Sequence, residues 1–259
     1  LKNLQISNMK NIVFSHSNGF SLKTYNYFLE QLKPNRITGL DNIVTVENWQ
    51  TWKDFIPKYI QHIEENYTEP VIGIGHSLGA VVTFFAAEQR PDLFSKIILI
   101  EPPIFSANTR RLIWFLTKIG LADKFSPAGK AFQRRDNFES REVAYKALRN
   151  RGIFKRFDEN CFKDYIQYGF QEIENGITLD YPKALEGKIF QNPPFFFKYP
   201  NLAIPTHFIH SKYYKTLSEK DIRWWKKSFQ YIHFHEFDGG HMMPLEKPKV
   251  FSDFLKSLL

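Results

Sequence analysis

The chain has 259 residues, of which 43% are hydrophobic and 24% are charged, which is typical of a globular protein. Lysine and arginine exceed aspartate and glutamate by eight, but basic and acidic residues are interleaved, as in Arg134-Arg135-Asp136 and Arg141-Glu142. This pattern argues against nucleic acid as a partner. No apolar run reaches the roughly 18 residues of a membrane-spanning helix, so no integral membrane segment is predicted.

Cysteine content and the first residues bear on cellular location. The single cysteine, Cys161, excludes an internal disulfide and favours a reducing compartment, so we predict a cytoplasmic protein. Residues 1–8 lack the apolar core of a secretory signal, and Met9 stands just before the first predicted strand. We interpret these eight residues as an upstream extension or the remnant of a longer terminus. The sequence does not define an oligomeric state.

Strand and helix patterns alternate over the first 105 residues. The predicted strands are Asn11–Phe14, Asn42–Val46, Val71–Gly75 and Lys96–Ile100, and the predicted helices are Leu22–Leu32, Trp52–Tyr67 and Leu78–Gln89. The last of these strands is almost wholly apolar, as strands are in parallel sheets covered on both faces. The sequence therefore predicts an α/β fold with a mostly parallel, doubly wound sheet.

The alternation stops between residues 106 and 200. This region contains the predicted helices Arg110–Ile119, Glu139–Asn150 and Asn160–Gln167, and no strand is predicted in it. Strand patterns resume at Thr206–His210 and Tyr231–Phe237, followed by a helix over Lys247–Leu258. We predict a core formed by residues 1–105 and 201–259, with residues 106–200 inserted as a helical cap after the strand that ends near residue 101.

The segment Gly75-His76-Ser77-Leu78-Gly79 joins a predicted strand to a predicted helix, which is the position of a nucleophile elbow. So tight a turn forces the central serine towards positive φ and leaves no room for side chains at the two glycines. The serine hydroxyl then lies at the positive end of the following helix, where developing negative charge is favoured. We predict Ser77 as a catalytic nucleophile.

Together with two further motifs, the elbow resembles that of the α/β-hydrolase fold superfamily. His16-Ser17-Asn18-Gly19-Phe20 is similar to the oxyanion loop of the family, although Ser17 stands where the family has glycine. The segment 237–248 (FDGGHMMPLEKP) is similar to the closing motif, in which a histidine follows the last strand. The resemblance covers nearly the whole chain and implies a capped serine hydrolase.

The general base is expected among eight histidines. His241 follows Gly239-Gly240 after the last predicted strand, at the same edge of the sheet as Ser77, and is the predicted base. His76 is expected to point away from the site, and His16 to anchor its own loop. The remaining histidines are interpreted as structural: His62 on a helix surface, and His207, His210, His233 and His235 on or beside strands.

The acid of the triad is the least direct assignment. Many relatives carry an aspartate after the penultimate strand, where this chain has Tyr214. The nearest carboxylates downstream are Glu219 and Asp221, and Ser218 with Asp221 forms a helix-capping pattern that already accounts for Asp221. Some members of the superfamily place the acid after the strand that here precedes Glu101. We therefore predict Glu101 as the acid and keep Asp221 and Glu219 as alternatives.

The oxyanion hole follows from the same resemblance. One donor is predicted to be the backbone N–H of Leu78, and the other the backbone N–H of Asn18. The predicted activity is hydrolysis of a small to medium carboxylic ester, a small-molecule substrate, without a cofactor or metal, since the histidines and acids show no metal-ligand spacing.

Three alternatives to ester hydrolysis stay open. The same triad could hydrolyse a thioester or a carbon–carbon bond, or the chain could be a non-catalytic small-molecule-binding member of the fold. Aromatic residues of the predicted cap have two interpretations. They line the substrate pocket, or they form the cap's own core and dock the cap on the sheet. The residues concerned are Trp114, Phe115, Phe125, Phe132, Phe138 and the run 195–197.

Overall fold

A computed structural model describes residues 9–44, 48–121, 126–197, 202, 204–213 and 216–259. The strands of these residues are β1 (Asn11–Ser15), β2 (Arg36–Thr38), β3 (Val71–His76), β4 (Phe94–Ile100), β5 (Asn137–Phe138), β6 (Phe170–Ile173), β7 (Gly176–Leu179), β8 (Thr206–Ser211) and β9 (Ile232–Phe237). Six of them form a central sheet in the order β2-β1-β3-β4-β8-β9, in which every neighbouring pair is parallel. The predicted fold class is confirmed.

Helices cover both faces of this sheet. The described α-helices are α1 (Asn26–Glu30), α2 (Ile56–Asn66), α3 (Leu78–Gln89), α4 (Ala107–Lys118), α5 (Ala128–Gln133), α6 (Arg141–Leu148), α7 (Glu159–Tyr168), α8 (Lys183–Gln191), α9 (Glu219–Ser228), α10 (Met243–Glu246) and α11 (Pro248–Lys256). Successive residues of a strand point to opposite faces, so β4 contributes Ile97 and Leu99 to one apolar cluster and Ile98 and Ile100 to the other. Residues 97–100 are buried on both faces of the sheet, as their apolar sequence predicts.

The second strand lies earlier in the chain than the sequence predicts. β2 covers Arg36–Thr38 and pairs with β1, whereas residues 42–44 form no strand and residues 45–46 lie outside the described part. β2 is a half-exposed edge strand, so it has only a weak hydrophobic pattern. Ile43 is apolar for another reason, because its side chain is buried in the cluster that contains α2.

The region 106–200 contains strands that the sequence analysis did not predict. β5, β6 and β7 form a small antiparallel sheet in the order β5-β7-β6. The two-residue turn between β6 and β7 is Glu174-Asn175, and Gly176, which begins β7, has a φ of 131°. An Asn-Gly pair between short β-type segments is a hairpin signal, so this correction could have been read from the sequence. The three predicted helices are present as α4, α6 and α7.

The carboxyl ends of β3, β4, β8 and β9 meet at one edge of the central sheet, since these strands are parallel neighbours. The backbone N–H of Ser77, just past β3, donates to the carbonyl of Ile100 at 2.8 Å. The backbone N–H of Glu101, just past β4, donates to the carbonyl of Ile209 at 2.9 Å. Each residue that leaves a strand here is thus fixed by the neighbouring strand.

Candidate active site

Ser77 lies in a strained turn between β3 and α3. Its backbone has a φ of 54° and a ψ of −115°, a conformation that residues with a side chain rarely adopt. A Cβ at Gly79 would lie 2.1 Å from the carbonyl oxygen of Ser15, and one at Gly75 would lie 2.5 Å from the Cα of Ala80. Only glycine fits at these two positions, as the elbow pattern predicts.

The side chain of His241 faces the Ser77 hydroxyl across the sheet edge. Its Nε2 atom lies 3.2 Å from Ser77 Oγ, although the two residues are 164 positions apart in the sequence. The imidazole is 29% exposed, whereas Ser77 is nearly buried. This is hydrogen-bonding distance, at the long end that is common in catalytic pairs without substrate.

Glu101 lies behind His241, at the end of β4. Its Oε2 atom is 3.3 Å from His241 Nδ1, and its Oε1 atom accepts a 2.6 Å hydrogen bond from the backbone N–H of Ser211. Glu101 is 2% exposed and has a φ of 50°, so a buried carboxylate and a strained backbone coincide at one residue.

The protonation of Glu101 follows from its partners. Burial alone would raise the pKa of the carboxyl group, but the hydrogen bond and charge of His241 oppose this effect, as do the Ser211 N–H and the Thr216 hydroxyl. Together they hold the pKa of Glu101 below its usual value. The carboxylate is therefore ionised at neutral pH and can orient the imidazole.

Thr216 is a residue of this site that the sequence analysis missed. Its Oγ1 atom lies 2.8 Å from His241 Nδ1, and its hydroxyl also reaches Glu101. If His241 Nε2 accepts the Ser77 proton, Nδ1 must carry the ring hydrogen, which is then shared between Thr216 and Glu101. Thr216 lies in the turn after β8, the region from which the family aspartate would come.

The alternative acids are engaged elsewhere. Asp221 accepts hydrogen bonds from the backbone N–H of Ser106 at 2.9 Å and from the Thr109 hydroxyl at 3.0 Å, and it forms the predicted capping box with Ser218. Glu219 is exposed and lies 3.8 Å from Arg223 in an ion pair. No contact joins either described carboxylate to His241. Tyr214, at the place expected for the family aspartate, lies outside the described residues.

His76, expected to point away from the site, is a buried link to it. Its Nε2 atom lies 2.8 Å from the carbonyl oxygen of His241, and its Nδ1 atom lies 2.7 Å from the hydroxyl of Tyr25. A carbonyl can only accept, so Nε2 carries the hydrogen and Nδ1 accepts from Tyr25. Burial, with the nearby His241 ring adding to it, lowers the pKa of His76 to about 3, so the ring is neutral.

Tyr25 extends this chain to the predicted oxyanion loop. Its hydroxyl lies 2.8 Å from Ser17 Oγ, and Ser17 precedes Asn18. The hydrogen-bond chain Ser17–Tyr25–His76–His241 therefore joins the loop to the backbone of the predicted base. Ser17 stands where the family has glycine. Its side-chain hydroxyl makes the contact with Tyr25, which a glycine could not make.

Asn18 and Leu78 line the same cavity as Ser77 and His241. The backbone N–H groups of these two residues donate to no acceptor among the described residues. The Asn18 side chain is fixed by two residues of the segment 106–200, because its Nδ2 donates to the Glu186 carbonyl at 3.1 Å and its Oδ1 accepts from the Tyr181 hydroxyl at 3.0 Å. Two unpaired donors beside a serine are what an oxyanion hole requires.

The cavity above Ser77 has a volume of about 860 Å³, near the upper end of the range for small-molecule sites. Its walls come from residues 106–200 and from other described parts of the chain, and they are mainly apolar. The apolar and aromatic lining residues include Phe20, Trp52, Phe105, Ile113, Leu116, Leu148, Phe154, Leu179, Ile189 and Met242. The space fits a substrate with a sizeable apolar group.

Of the aromatics singled out in the sequence, those in the described residues are not among the lining residues. Phe138 is buried in an apolar cluster, whereas Trp114, Phe115, Phe132 and Phe196 are between 37% and 65% exposed. Phe125 lies outside the described residues. Phe138 therefore fits the second interpretation, a buried core, whereas the four exposed residues fit neither interpretation. The aromatic walls of the cavity come from other positions, such as Trp52 and Phe154.

His16 and the strand histidines have structural partners. His16 Nε2 accepts from the backbone N–H of Ile43 at 2.8 Å, and its Nδ1 lies 2.9 Å from the Ser17 carbonyl, so it anchors the loop as expected. His207 Nδ1 lies 2.9 Å from His235 Nε2, and the His207 ring stacks on that of His233. Burial lowers the pKa of His16 and of His207 to about 4, with His235 contributing at His207.

Comparison with known proteins places this geometry in a family. A model of the alpha/beta hydrolase family matches residues 36–254, which include Ser77, Glu101 and His241. The chain belongs to the alpha/beta hydrolase family. A solved E-2-(acetamidomethylene)succinate hydrolase superposes with a TM-score of 0.73 at 14% identity, covering 96% of this chain and 90% of that one, which supports the fold alone.

Two curated relatives share part of the sequence. The type I acyl-CoA thioesterase mpaH of Penicillium roqueforti (strain FM164) is 30% identical over 121 residues, which are 47% of this chain and 26% of the relative. The monoglyceride lipase of Rattus norvegicus is 32% identical over 75 residues, which are 27% of this chain and 25% of the relative. The matches thus span about a quarter of the length of these relatives.

None of the helices in the described ranges combines the length and the hydropathy that crossing a bilayer requires. The same residues hold no group of three or more His, Cys, Asp or Glu side chains with the geometry of a metal site. The predicted independence of a cofactor stays a prediction.

Proposed function

We propose that this protein is a serine hydrolase that cleaves a small to medium carboxylic ester, with Ser77 as nucleophile, His241 as general base and Glu101 as the acid that orients it. The observation that carries the proposal is the continuous contact from Ser77 Oγ to His241 Nε2 at 3.2 Å and from His241 Nδ1 to Glu101 Oε2 at 3.3 Å. Nucleophile, base and orienting carboxylate in this order are the elements of acyl transfer.

The proposed mechanism begins with proton transfer. His241 Nε2 takes the Ser77 proton as Oγ attacks the ester carbonyl, and the ionised Glu101 stabilises the imidazolium that forms. The N–H groups of Asn18 and Leu78 receive the oxyanion, each contributing on the order of 3 kcal/mol to transition-state stabilisation. His241 then protonates the leaving alcohol, and water repeats the sequence on the acyl-enzyme.

The cap, proposed to comprise residues 106–200, supplies much of the substrate cavity. Leu148, Phe154 and Leu179 come from it, and Glu186 reaches the oxyanion loop through Asn18. Apolar walls lower the local dielectric constant and so strengthen the electrostatic interactions inside the cavity. An apolar acyl or alcohol group is the chemistry that such walls favour.

Thioester hydrolysis is a second candidate on the same residues. The acyl-CoA thioesterase of Penicillium roqueforti is similar to nearly half of this chain, and this likeness supports the candidate. The chemical steps are those of ester hydrolysis, except that His241 protonates a thiolate instead of an alkoxide. A direct comparison of oxygen and sulfur esters with the same acyl group separates the two candidates.

A fluorophosphonate probe followed by intact mass measurement tests the proposal. The wild-type protein should gain one adduct, and Ser77→Ala should gain none. Initial rates on a p-nitrophenyl ester series should then show turnover of short and medium acyl chains by the wild-type protein and loss of turnover in Ser77→Ala. A folded protein that forms no serine adduct and hydrolyses no ester of the series would favour a non-catalytic binding role instead.

A further inference from the structure

The open side of the substrate cavity has an uneven distribution of charge. Lys130, Arg135 and Arg151 line the cavity and are exposed, so they lie at its rim. The acid among the described lining residues is Glu186, which is bound to Arg134 at 2.5 Å. The rim therefore presents three positive charges, and the lining carboxylate is already neutralised.

None of the three rim cations forms an ion pair with a carboxylate in the described ranges. Arg135 Nε donates to the Asn137 carbonyl at 2.8 Å, and its guanidinium lies 4.3 Å from the Phe138 ring centroid, contacts that position the group without neutralising it. Ion pairs neutralise many other cations of the cap, as in Arg141–Glu172, Lys146–Glu142, Arg149–Glu159, Arg156–Glu246 and Lys183–Asp136.

The cations come from two separate parts of the cap. Lys130 belongs to α5 and Arg135 follows it closely, whereas Arg151 lies in the turn after α6. Gly152, beside Arg151, has a φ of 52° and open space around it, so the turn bends at the rim. Positive groups on two segments around one opening focus an electrostatic field on whatever enters the cavity.

This arrangement fits an amphipathic substrate. The apolar walls near Ser77 suit an acyl group, and the rim suits a group with more than one negative charge that remains outside. Arginine and lysine side chains bind phosphate oxygens by charge-assisted hydrogen bonds, and the arginine fork can bind two oxygens at once. A single carboxylate would use one of these cations and leave two.

We propose that the leaving group of the substrate carries phosphate, which Lys130, Arg135 and Arg151 bind at the cavity rim. This inference rests on the proposed serine hydrolase function and specifies its substrate class. For a thioester, the bond between Ser77 Oγ and the acyl carbon forms while the C–S bond breaks. The proton passes from Ser77 through His241 to the departing sulfur, and water then releases the acid.

The test compares two thioesters with the same medium-length acyl group. One is the thioester of pantetheine, which has no phosphate, and the other is the thioester of coenzyme A, which has several. The wild-type protein should show a KM at least about tenfold lower for the coenzyme A thioester at low salt, and the difference should shrink in about 1 M salt. Equal KM values for the two thioesters would overturn the inference.

Charge reversal at the three rim residues tests whether they cause the difference in KM between the two thioesters. In the triple variant Lys130→Glu, Arg135→Glu, Arg151→Glu, the ratio of the two KM values should fall towards one. Lys155→Glu is the matched control, because Lys155 is an exposed cap lysine that does not line the cavity. An equal loss of discrimination in the control would contradict a specific site. A lower KM for esters with a carboxylate on the acyl group, without any effect of phosphate, would also contradict it.

A binding measurement keeps this inference separate from catalysis. Calorimetric titration of Ser77→Ala with free coenzyme A should give binding that the triple charge reversal weakens at least about tenfold. If the proposed function fails, the serine probe gives no adduct and no ester is hydrolysed. If only the phosphate inference fails, neutral esters are hydrolysed, while coenzyme A does not bind and phosphate has no effect on KM.

Discussion

The ring nitrogen Nδ1 of His241 lies closer to the hydroxyl of Thr216, at 2.8 Å, than to the carboxylate of Glu101, at 3.3 Å. The hydroxyl can accept from the ring nitrogen, and it also helps to lower the pKa of Glu101. The neutral side chain of Thr216 therefore helps to orient the imidazole of His241, while the negative charge remains on Glu101.

Replacement of Glu101 tests the origin of that charge. Glu101→Gln should lower kcat/KM by about three to four orders of magnitude, because an amide neither stabilises the imidazolium nor holds Nδ1–H in the productive tautomer. Initial-rate kinetics on a p-nitrophenyl ester measure the effect. Asp221→Asn is the comparison, and a greater loss of kcat in that variant than in Glu101→Gln would reverse the assignment of the acid.

Thr216 is expected to act as a positioning residue. Thr216→Val keeps the shape but removes one hydrogen bond of about 1 kcal/mol, so kcat should fall about fivefold while KM changes little. Thr216→Ser retains the hydroxyl and should restore most of the rate. If serine and valine lower kcat equally, the hydroxyl has no part in orienting His241.

The hydroxyl of Tyr181 holds the Asn18 side chain from the cap side. Tyr181→Phe should lower kcat several-fold, by roughly the loss of one hydrogen bond, because the oxyanion loop becomes less fixed. Tyr67→Phe is a matched control, since that hydroxyl donates to the Ile12 carbonyl at 3.1 Å. The control should lower the melting temperature without a change in kcat, and a comparable loss of kcat there would remove the link to the loop.

Asp221 is expected to contribute to stability. Its carboxylate joins the start of α9 to the start of α4 and is 1% exposed. Asp221→Asn should lower the free energy of unfolding by about 1–3 kcal/mol in urea denaturation, while the kcat of the remaining folded protein is retained. An unchanged unfolding midpoint would show that these hydrogen bonds do not stabilise the junction.

The strand histidines predict sensitivity to acid. His207 is held neutral because burial, together with His235, Lys96 and His233, lowers its pKa from 6.5 to about 4. Between these values the unfolded chain binds a proton that the folded chain does not, so the free energy of unfolding should fall as pH drops from 6.5 towards 4. His16 and His76 act in the same direction.

Urea denaturation across this pH range measures the effect of His207. His207→Gln should flatten the dependence, and the same change at the exposed His233 should flatten it less. If both variants keep the full wild-type slope, the acid sensitivity has another source.

Much of the fold could be predicted from the sequence, because long amphipathic helices and the apolar strands β3 and β4 have strong periodic patterns. The edge strand β2 and the short strands of the cap were not predicted, since a few half-exposed residues give little pattern. Ser77, Glu101 and His241 were singled out from motifs and from their positions at strand ends. Thr216 and His76 were not recognised as parts of the site, because their roles depend on contacts across 25 and 165 positions.

The direct hydrogen bond between the Ser77 backbone and Ile100 has a consequence for biosynthesis. Ser77 and Glu101 leave adjacent strands of one β3–α3–β4 unit, so short-range folding can bring them together while the chain is still emerging from the ribosome. The imidazole at position 241 is made 140 residues after Glu101. A nascent chain would therefore hold Ser77 beside Ile100 early, whereas the Glu101 carboxylate gains its Ser211 partner, and then the imidazole of His241, only as later strands are made.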